Sequence, residues 1–296
     1  MTSGFLRKLL GGRPPIPPHL EGPIAELNRL AAQRPSLRGS LELLADVLPE
    51  LFGEPAVEAA PRVNADAVAA ALTAGTPLLR TIPVTFDRPS LERRWRGVCA
   101  VVGKHQTGET AAALARAVGD LDLPALLAEV LSGRPAAVHA RAETLGLDGS
   151  LVATALRLTA YPALARVAAG LAGVRSGTGW DAGFCPTCGS YPLLGEFRGL
   201  DQIRWLRCGL CASAWDFPRL RCPFCDNRDH QTLGYFHVEE EQNRYRAATC
   251  DACRGYVKMV STLVALSEVQ LLVTDAATLH LDLAAADRGY AVLSEG

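Results

Sequence analysis

The sequence lacks an excess of charge of either sign: 30 Lys and Arg stand against 31 Asp and Glu, a net charge of −1 at pH 7. Proteins that hold nucleic acid or an anionic membrane through their overall field carry a positive surplus, so neither class is indicated. Lysine is almost missing, occurring only as Lys8, Lys104 and Lys258, and no like-charged tail is present. No apolar run is long enough to cross a bilayer cleanly. The best candidate, Leu151 to Val174, contains Arg157, Pro162 and Arg166, with the arginines on nearly opposite faces of a helix; a buried core helix is the reading. The first residues, MTSGFLRKLLGGRPPIPPHL, hold too short an apolar stretch for a signal peptide and no twin arginine, so a cytoplasmic protein is expected. Also missing are a glycine loop able to cradle phosphate, a nucleophile–base pair and carboxylates at catalytic spacing. No enzyme is indicated.

What the chain does have is a substantial apolar fraction and an uneven distribution of cysteine. Apolar residues make up 49% of 296 positions, enough core for about two domains. Residues 1–23 form a proline-rich arm. From 24 to 172 the apolar spacing is helical. Leu37, Leu41, Leu44, Leu48 and Leu51 form one stripe and Leu91, Trp95, Val98 and Val102 another, with Ser90 placed to cap it. Further helices are expected at 109–118, 123–132, 135–145 and 150–172, with Asp122 and Ser150 as caps and Gly119, Gly133 and Gly146 as stops. The expectation is an all-α bundle that folds without metal.

After a glycine-rich stretch, Gly173 to Phe184, the texture changes to short strands at Gln202–Cys208, Gly234–Glu239 and Asn243–Cys250, and then a closing helix with Leu279, Leu283, Ala286 and Tyr290 on one face. Eight of the nine cysteines fall here as four C-x-x-C pairs: Cys185/Cys188, Cys208/Cys211, Cys222/Cys225 and Cys250/Cys253. In a reducing compartment such pairs bind metal or do redox chemistry. A C-x-x-C turn aims two sulfurs at one point, and two such knuckles joined by a hairpin supply a tetrahedron of thiolates. The gaps of 19 residues after Cys188 and 24 after Cys225 each suit a hairpin, while the ten between Cys211 and Cys222 suit a connection. Sequential pairing follows, giving a module over 180–215 and a second over 216–296. A four-cysteine segment of roughly 35–40 residues is too small to fold stably without its metal, which contributes on the order of 10–16 kcal/mol. The knuckles Cys185-Pro186-Thr187-Cys188 and Cys222-Pro223-Phe224-Cys225 carry the proline of rubredoxin-type sites, and zinc ribbons share it; iron and zinc both remain open.

Competing readings fit less well. A thioredoxin-like motif stands once, at a helix start. A nucleic-acid-binding zinc ribbon is the main alternative, but Asp181 to Thr262 holds ten Lys/Arg and ten Asp/Glu, no net charge. An iron–sulfur cluster is only weakly excluded by the spacing. Cys99, one turn after Trp95, reads as a buried core thiol, His230 and His237 as strand or loop residues, and Glu239 to Glu241 as a solvated hairpin tip.

The ordered set of Cys185-Pro186-Thr187-Cys188-Gly189-Ser190, Cys208-Gly209-Leu210-Cys211, Trp215, Arg219, Cys222-Pro223-Phe224-Cys225 and Cys250-Asp251-Ala252-Cys253 before Tyr256 and Lys258 resembles the FdhE family, accessory proteins of formate dehydrogenase. The stretch around Asp275, Leu279 and Asp282 is similar too. Arg254 departs from the pattern, standing where glycine is usual. The resemblance covers about residues 180–290. It implies an α+β chain: an N-terminal helical bundle, two tandem rubredoxin-like or zinc-ribbon-like modules, and a C-terminal helix. It also implies iron binding and contact with the molybdenum-containing catalytic subunit of respiratory formate dehydrogenase, before that enzyme is exported.

Overall fold

The computed structural model describes residues 16–53, 56–61, 65–106, 119–175, 179–238 and 241–293. The expected helix at 109–118 lies outside them. The helical region starts earlier than its composition suggests. Helix α1, Pro18–Gln33, takes up part of the proline-rich arm: Pro18 occupies the first turn, where its missing N–H costs nothing, and Leu20 is fully buried beside Leu27. Helix α2, Arg38–Phe52, buries Leu41, Leu48 and Leu51 of the expected stripe. Next come β1 (Ala59–Pro61), α3 (Ala65–Thr73), the single turn α4 (Leu78–Thr81) and β2 (Val84–Phe86). Strands β1 and β2 pair antiparallel, so a small hairpin sits within the helical region where none was expected.

Helix α5, Arg88–Lys104, buries Leu91, Trp95, Val98 and Val102 together with Cys99. Its cap is Asp87, whose carboxylate accepts from the Ser90 amide at 3.0 Å, rather than Ser90 itself. Helices α6 (Leu123–Leu131), α7 (Ala136–Glu143) and α8 (Gly149–Gly170) follow, then the short α9 (Ala172–Arg175). Asp122 caps α6 as expected, but α8 is capped by Asp148, accepting from Leu151, rather than by Ser150. In both corrected cases an aspartate just ahead supplies the acceptor, and the helix begins three residues sooner in α5 and two sooner in α8. Gly133 and Gly146 take positive φ at the helix stops. The two arginines of α8 are used to join elements: Arg157 donates to Gly209 O at 3.2 Å, and Arg166 donates to Val57 O. Among the described residues no helix is long and apolar enough to cross a membrane.

The second half is one six-stranded sheet: β3 (Pro192–Arg198), β4 (Ile203–Cys208), β5 (Ala214–Asp216), β6 (Leu233–Phe236), β7 (Tyr245–Cys250) and β8 (Tyr256–Thr262), in the order β5-β4-β3-β8-β7-β6. Each module is a three-stranded antiparallel meander. The two fuse through parallel pairing of β3 with β8, from Leu194↔Lys258 to Arg198↔Thr262. At that seam Met259 lays its side chain over Gly195, where an added Cβ would lie 2.5 Å from Met259 Sδ. All four cysteine knuckles gather at one end of the sheet, because each precedes or ends a strand running to that end.

One sheet face is covered by two closing helices, α10 (Glu268–Ala277) and α11 (Leu279–Asp287). Helix α10 was not expected; Ser267 and Gln270 form a capping box at its start. In α11 the buried positions are Leu281 and Ala285, whereas Leu283 is exposed and Tyr290 lies beyond the helix. The helix is short and packs on the sheet by one narrow contact, which shifts the apolar phase away from the 279/283/286/290 stripe. Beneath α10, fully buried Glu196 accepts from Arg198 and Arg207, and Arg207 also donates to Leu266 O at 2.8 Å. Breaking one partner of such a buried set leaves an uncompensated charge, at a cost of about 3–5 kcal/mol. Helix α10 also packs on α1 and α2, so the two halves share one apolar core.

Candidate metal centres

Each knuckle repeats one backbone device. The first cysteine's amide donates to the carbonyl five residues on: Cys185 to Ser190, Cys208 to Ser213 and Cys222 to Asn227 at 2.9 Å each, and Cys250 to Gly255 at 3.0 Å. The residue after the second cysteine turns the chain back through positive φ. Gly189, Ala212, Asp226 and Arg254 have φ of 89°, 56°, 61° and 58°. Only the first knuckle uses glycine, which alone takes this conformation freely. Arg254 therefore adopts the backbone that its departure from the usual glycine put in question. Its side chain is committed too: it lies over the Tyr290 ring at 4.1 Å, pairs with Asp251 at 2.9 Å and donates to Gly289 O at 3.2 Å.

The knuckles meet in the sequential pairing. Cys185, Cys188, Cys208 and Cys211 converge in one group, and Cys222, Cys225, Cys250 and Cys253 in another, all sulfurs within 4.8 Å of one another in each. Cys185–Cys211 and Cys188–Cys208 are 3.6 and 3.3 Å apart; Cys222–Cys253 and Cys225–Cys250 are both 3.7 Å apart. Metal–sulfur bonds of about 2.3 Å place tetrahedral sulfurs roughly 3.8 Å from one another. The donor set thus fits a single tetrathiolate ion in each group. Polar neighbours orient the sulfurs: the Leu210 amide donates to Cys208 Sγ at 3.3 Å and Asn227 Nδ2 to Cys250 Sγ at 3.4 Å, while Ser213 Oγ lies 3.2 Å from Cys211 Sγ.

The two groups differ in their surroundings. Cys185, Cys188, Cys208 and Cys211 are all buried, with exposures of 3% or less. The helical region seals them. The free amides at the start of α4 donate to the first knuckle, Leu78 to Pro186 O at 3.0 Å and Leu79 to Thr187 O at 2.7 Å, and Arg157 of α8 reaches the second. In the other group Cys225 is exposed and Cys253 half-buried. There, burial opposes ionisation of Cys250, but the Asn227 side chain and the knuckle amides outweigh it and bring the thiol to about 7. Cys99 stands apart from both groups, and burial alone pushes its thiol up to about 12.

Neither His230 nor His237 joins the cysteines; both lie outside the named strands, His237 with its ring stacked on Tyr235. Glu241 is more than a solvated tip, because Arg34 at the end of α1 donates to it. Tyr256, Lys258, Asp275 and Asp282 do converge. Lys258 Nζ lies 2.7 Å from both carboxylates and Tyr256 donates to Asp282 at 2.8 Å. They border a cavity of about 1020 Å³ between α6–α8 and the first module. Lys258 also donates to Asp275 O, so its three protons are all used within the chain.

A helical body carrying two fused four-cysteine meanders defines a protein of the tandem tetrathiolate-ribbon class, with two clusters suited to metal. Residues 184–219 match the model for the FdhE central domain and residues 220–295 that for the FdhE C-terminal domain, so the cysteine-rich region belongs to the FdhE family. The chain is 39% identical over 113 residues to a Protein FdhE homolog of Stutzerimonas stutzeri, a match covering 37% of this chain and 36% of that one. It is 34% identical over 113 residues to Protein FdhE of Escherichia coli, covering 36% and 35%. The chain thus spans only about a third of the length of these curated relatives by sequence. The crystal structure of the FdhE protein from Pseudomonas aeruginosa shares the fold over 92% of both chains, with a TM-score of 0.61 and 24% identity.

Proposed function

We propose that this chain is a cytoplasmic accessory protein that binds the catalytic subunit of respiratory formate dehydrogenase and is needed to form the active enzyme before export. The observation that carries the reading is the convergence of eight cysteines into two tetrathiolate groups within the FdhE-matched region. The eight named cysteines hold one ion per group, iron on this reading and zinc as the alternative. Four thiolates leave no open coordination position, so such sites organise the fold and present a surface rather than activate a substrate. The protein is a binder, not a catalyst.

Complementation tests this. Deleting the gene should abolish respiratory formate dehydrogenase activity while the client polypeptide is still made. Replacing Cys185 and Cys188 with serine removes two soft ligands, unfolds the first module and should mimic deletion. Cys99→Ser, which costs about 1–3 kcal/mol for a buried hydroxyl, should restore activity. Full rescue by the Cys185/Cys188 variant with client capture intact would overturn the mechanism. Anaerobic purification with elemental analysis should return two metal ions per chain and decide between iron and zinc.

A further inference from the structure

The end of the sheet away from the cysteines is apolar and open. Leu200, Ile203, Leu220, Leu263 and Val264 are 92%, 52%, 67%, 77% and 73% exposed. They are neighbours by connection. The β3–β4 turn carries Leu200 and is tied to the end of β8 by Gly199 N donating to Thr262 O at 3.0 Å; Leu263 and Val264 follow directly. Ile203 opens β4, and Arg219, next to Leu220, donates to Gln202 O. An apolar cluster of this size at one place marks a protein-binding surface rather than scattered surface leucines.

From this tip a row of alternating arginines and rings runs along the sheet face opposite α10 and α11. Arg219 lies over Phe197 at 4.8 Å, Arg246 over the same ring at 5.4 Å, and Arg246 over Tyr235 at 5.5 Å. The register puts Phe197, Arg246 and Tyr235 on one side, with Lys258 and Tyr256 on the other, bound to Asp282 of α11. Arg198 and Arg207 are neutralised by Glu196 and Arg221 by Asp181 and Asp226, while buried Arg204 spends its guanidinium on the carbonyls of Pro218, Arg219 and Arg221. Among the described residues Arg219 and Arg246 pair with no carboxylate. A guanidinium stacked on a ring keeps in-plane N–H groups for an incoming acid; Arg219 commits one nitrogen to Gln202 O and retains the others.

We propose that this tip and arginine–aromatic face form the docking surface for a partner segment bearing apolar side chains flanked by aspartate or glutamate. Resting on the reading above, the segment belongs to the formate dehydrogenase catalytic subunit. Aromatic and arginine anchors beside an apolar patch are the composition of binding hot spots. Single-stranded nucleic acid fits worse, since guanidiniums already cover the ring faces that bases would stack on.

The test uses the full-length, metal-loaded protein and the purified catalytic subunit. Two patch variants, Arg219→Glu with Arg246→Glu, and Leu200→Ser with Leu263→Ser, should each weaken binding at least tenfold. The charge reversal should also remove most of the salt dependence. Arg29→Glu on α1 should bind as wild type, and all variants should retain two metals per chain. Wild-type affinity in both patch variants would overturn the docking surface while leaving the accessory role standing. Failure of the wild-type protein to bind the subunit would remove that role, and this surface with it. A wild-type dimer that both patch variants dissociate, or RNA retention that they abolish, would reassign the surface and overturn the proposal.

Discussion

At the scale of single residues, the position after each knuckle decides the local chain path. Three of the four carry a side chain at positive φ, a conformation costing an ordinary residue about 1–2 kcal/mol. The hydrogen bond from each first cysteine's amide to the carbonyl five residues on holds them there. Arg254 offsets its strain by binding Asp251, the Gly289 carbonyl and the Tyr290 ring, which fastens the segment after α11 back onto the last knuckle. Replacing Arg254 with glycine should leave metal retention unchanged but speed proteolysis beyond Arg288. Replacing it with valine, whose branched Cβ disfavours this backbone, should destabilise the second module by about 1–3 kcal/mol. Chelator-release kinetics and limited proteolysis separate the two effects; equal metal loss in both variants would refute the division of roles.

Among the elements, the approach of the third knuckle to the segment ahead of the first is set by backbone rather than side chains. Gly183, ahead of the first knuckle, lies so near the third that an added Cβ would meet Pro223 O at 1.9 Å. Gly183→Ala must push the Cys222-Pro223-Phe224-Cys225 turn outward, and overpacking of this kind costs about 1–3 kcal/mol. The expected result is a protein that holds metal normally in the buried group and releases it faster from Cys222, Cys225, Cys250 and Cys253, read as the ratio of fast to slow metal release. Unchanged release from both groups would show that the contact carries no strain. Helix α10 makes a related point. Its Ser267–Gln270 capping box stands in the sequence, whereas its burial against α1 and α2 depends on elements more than two hundred residues earlier.

For the whole molecule, the unequal sealing of the two groups predicts sequential loss of metal. A chelator or thiol reagent should empty the exposed Cys225 group first and the Cys185 group only later, in two kinetic phases. Because Leu78 and Leu79 cap onto the first knuckle and both halves share one core, the second phase should also lower the thermal midpoint of helix unfolding. Circular dichroism followed alongside metal release checks this; helicity indifferent to both phases would show the helical region to be self-sufficient, as its leucine stripes alone suggest. The cysteine spacing by itself determined which sulfurs meet, because each knuckle is a local turn and each hairpin a short closure. The leucine and valine stripes likewise determined the long helices, whose period repeats over several turns. The rest needed the tertiary structure. The β3–β8 seam, the burial of one group and exposure of the other, the convergence of Tyr256 and Lys258 with Asp275 and Asp282, and the arginine–aromatic face all join segments far apart in the chain. Their energies arise from contacts that no local pattern encodes.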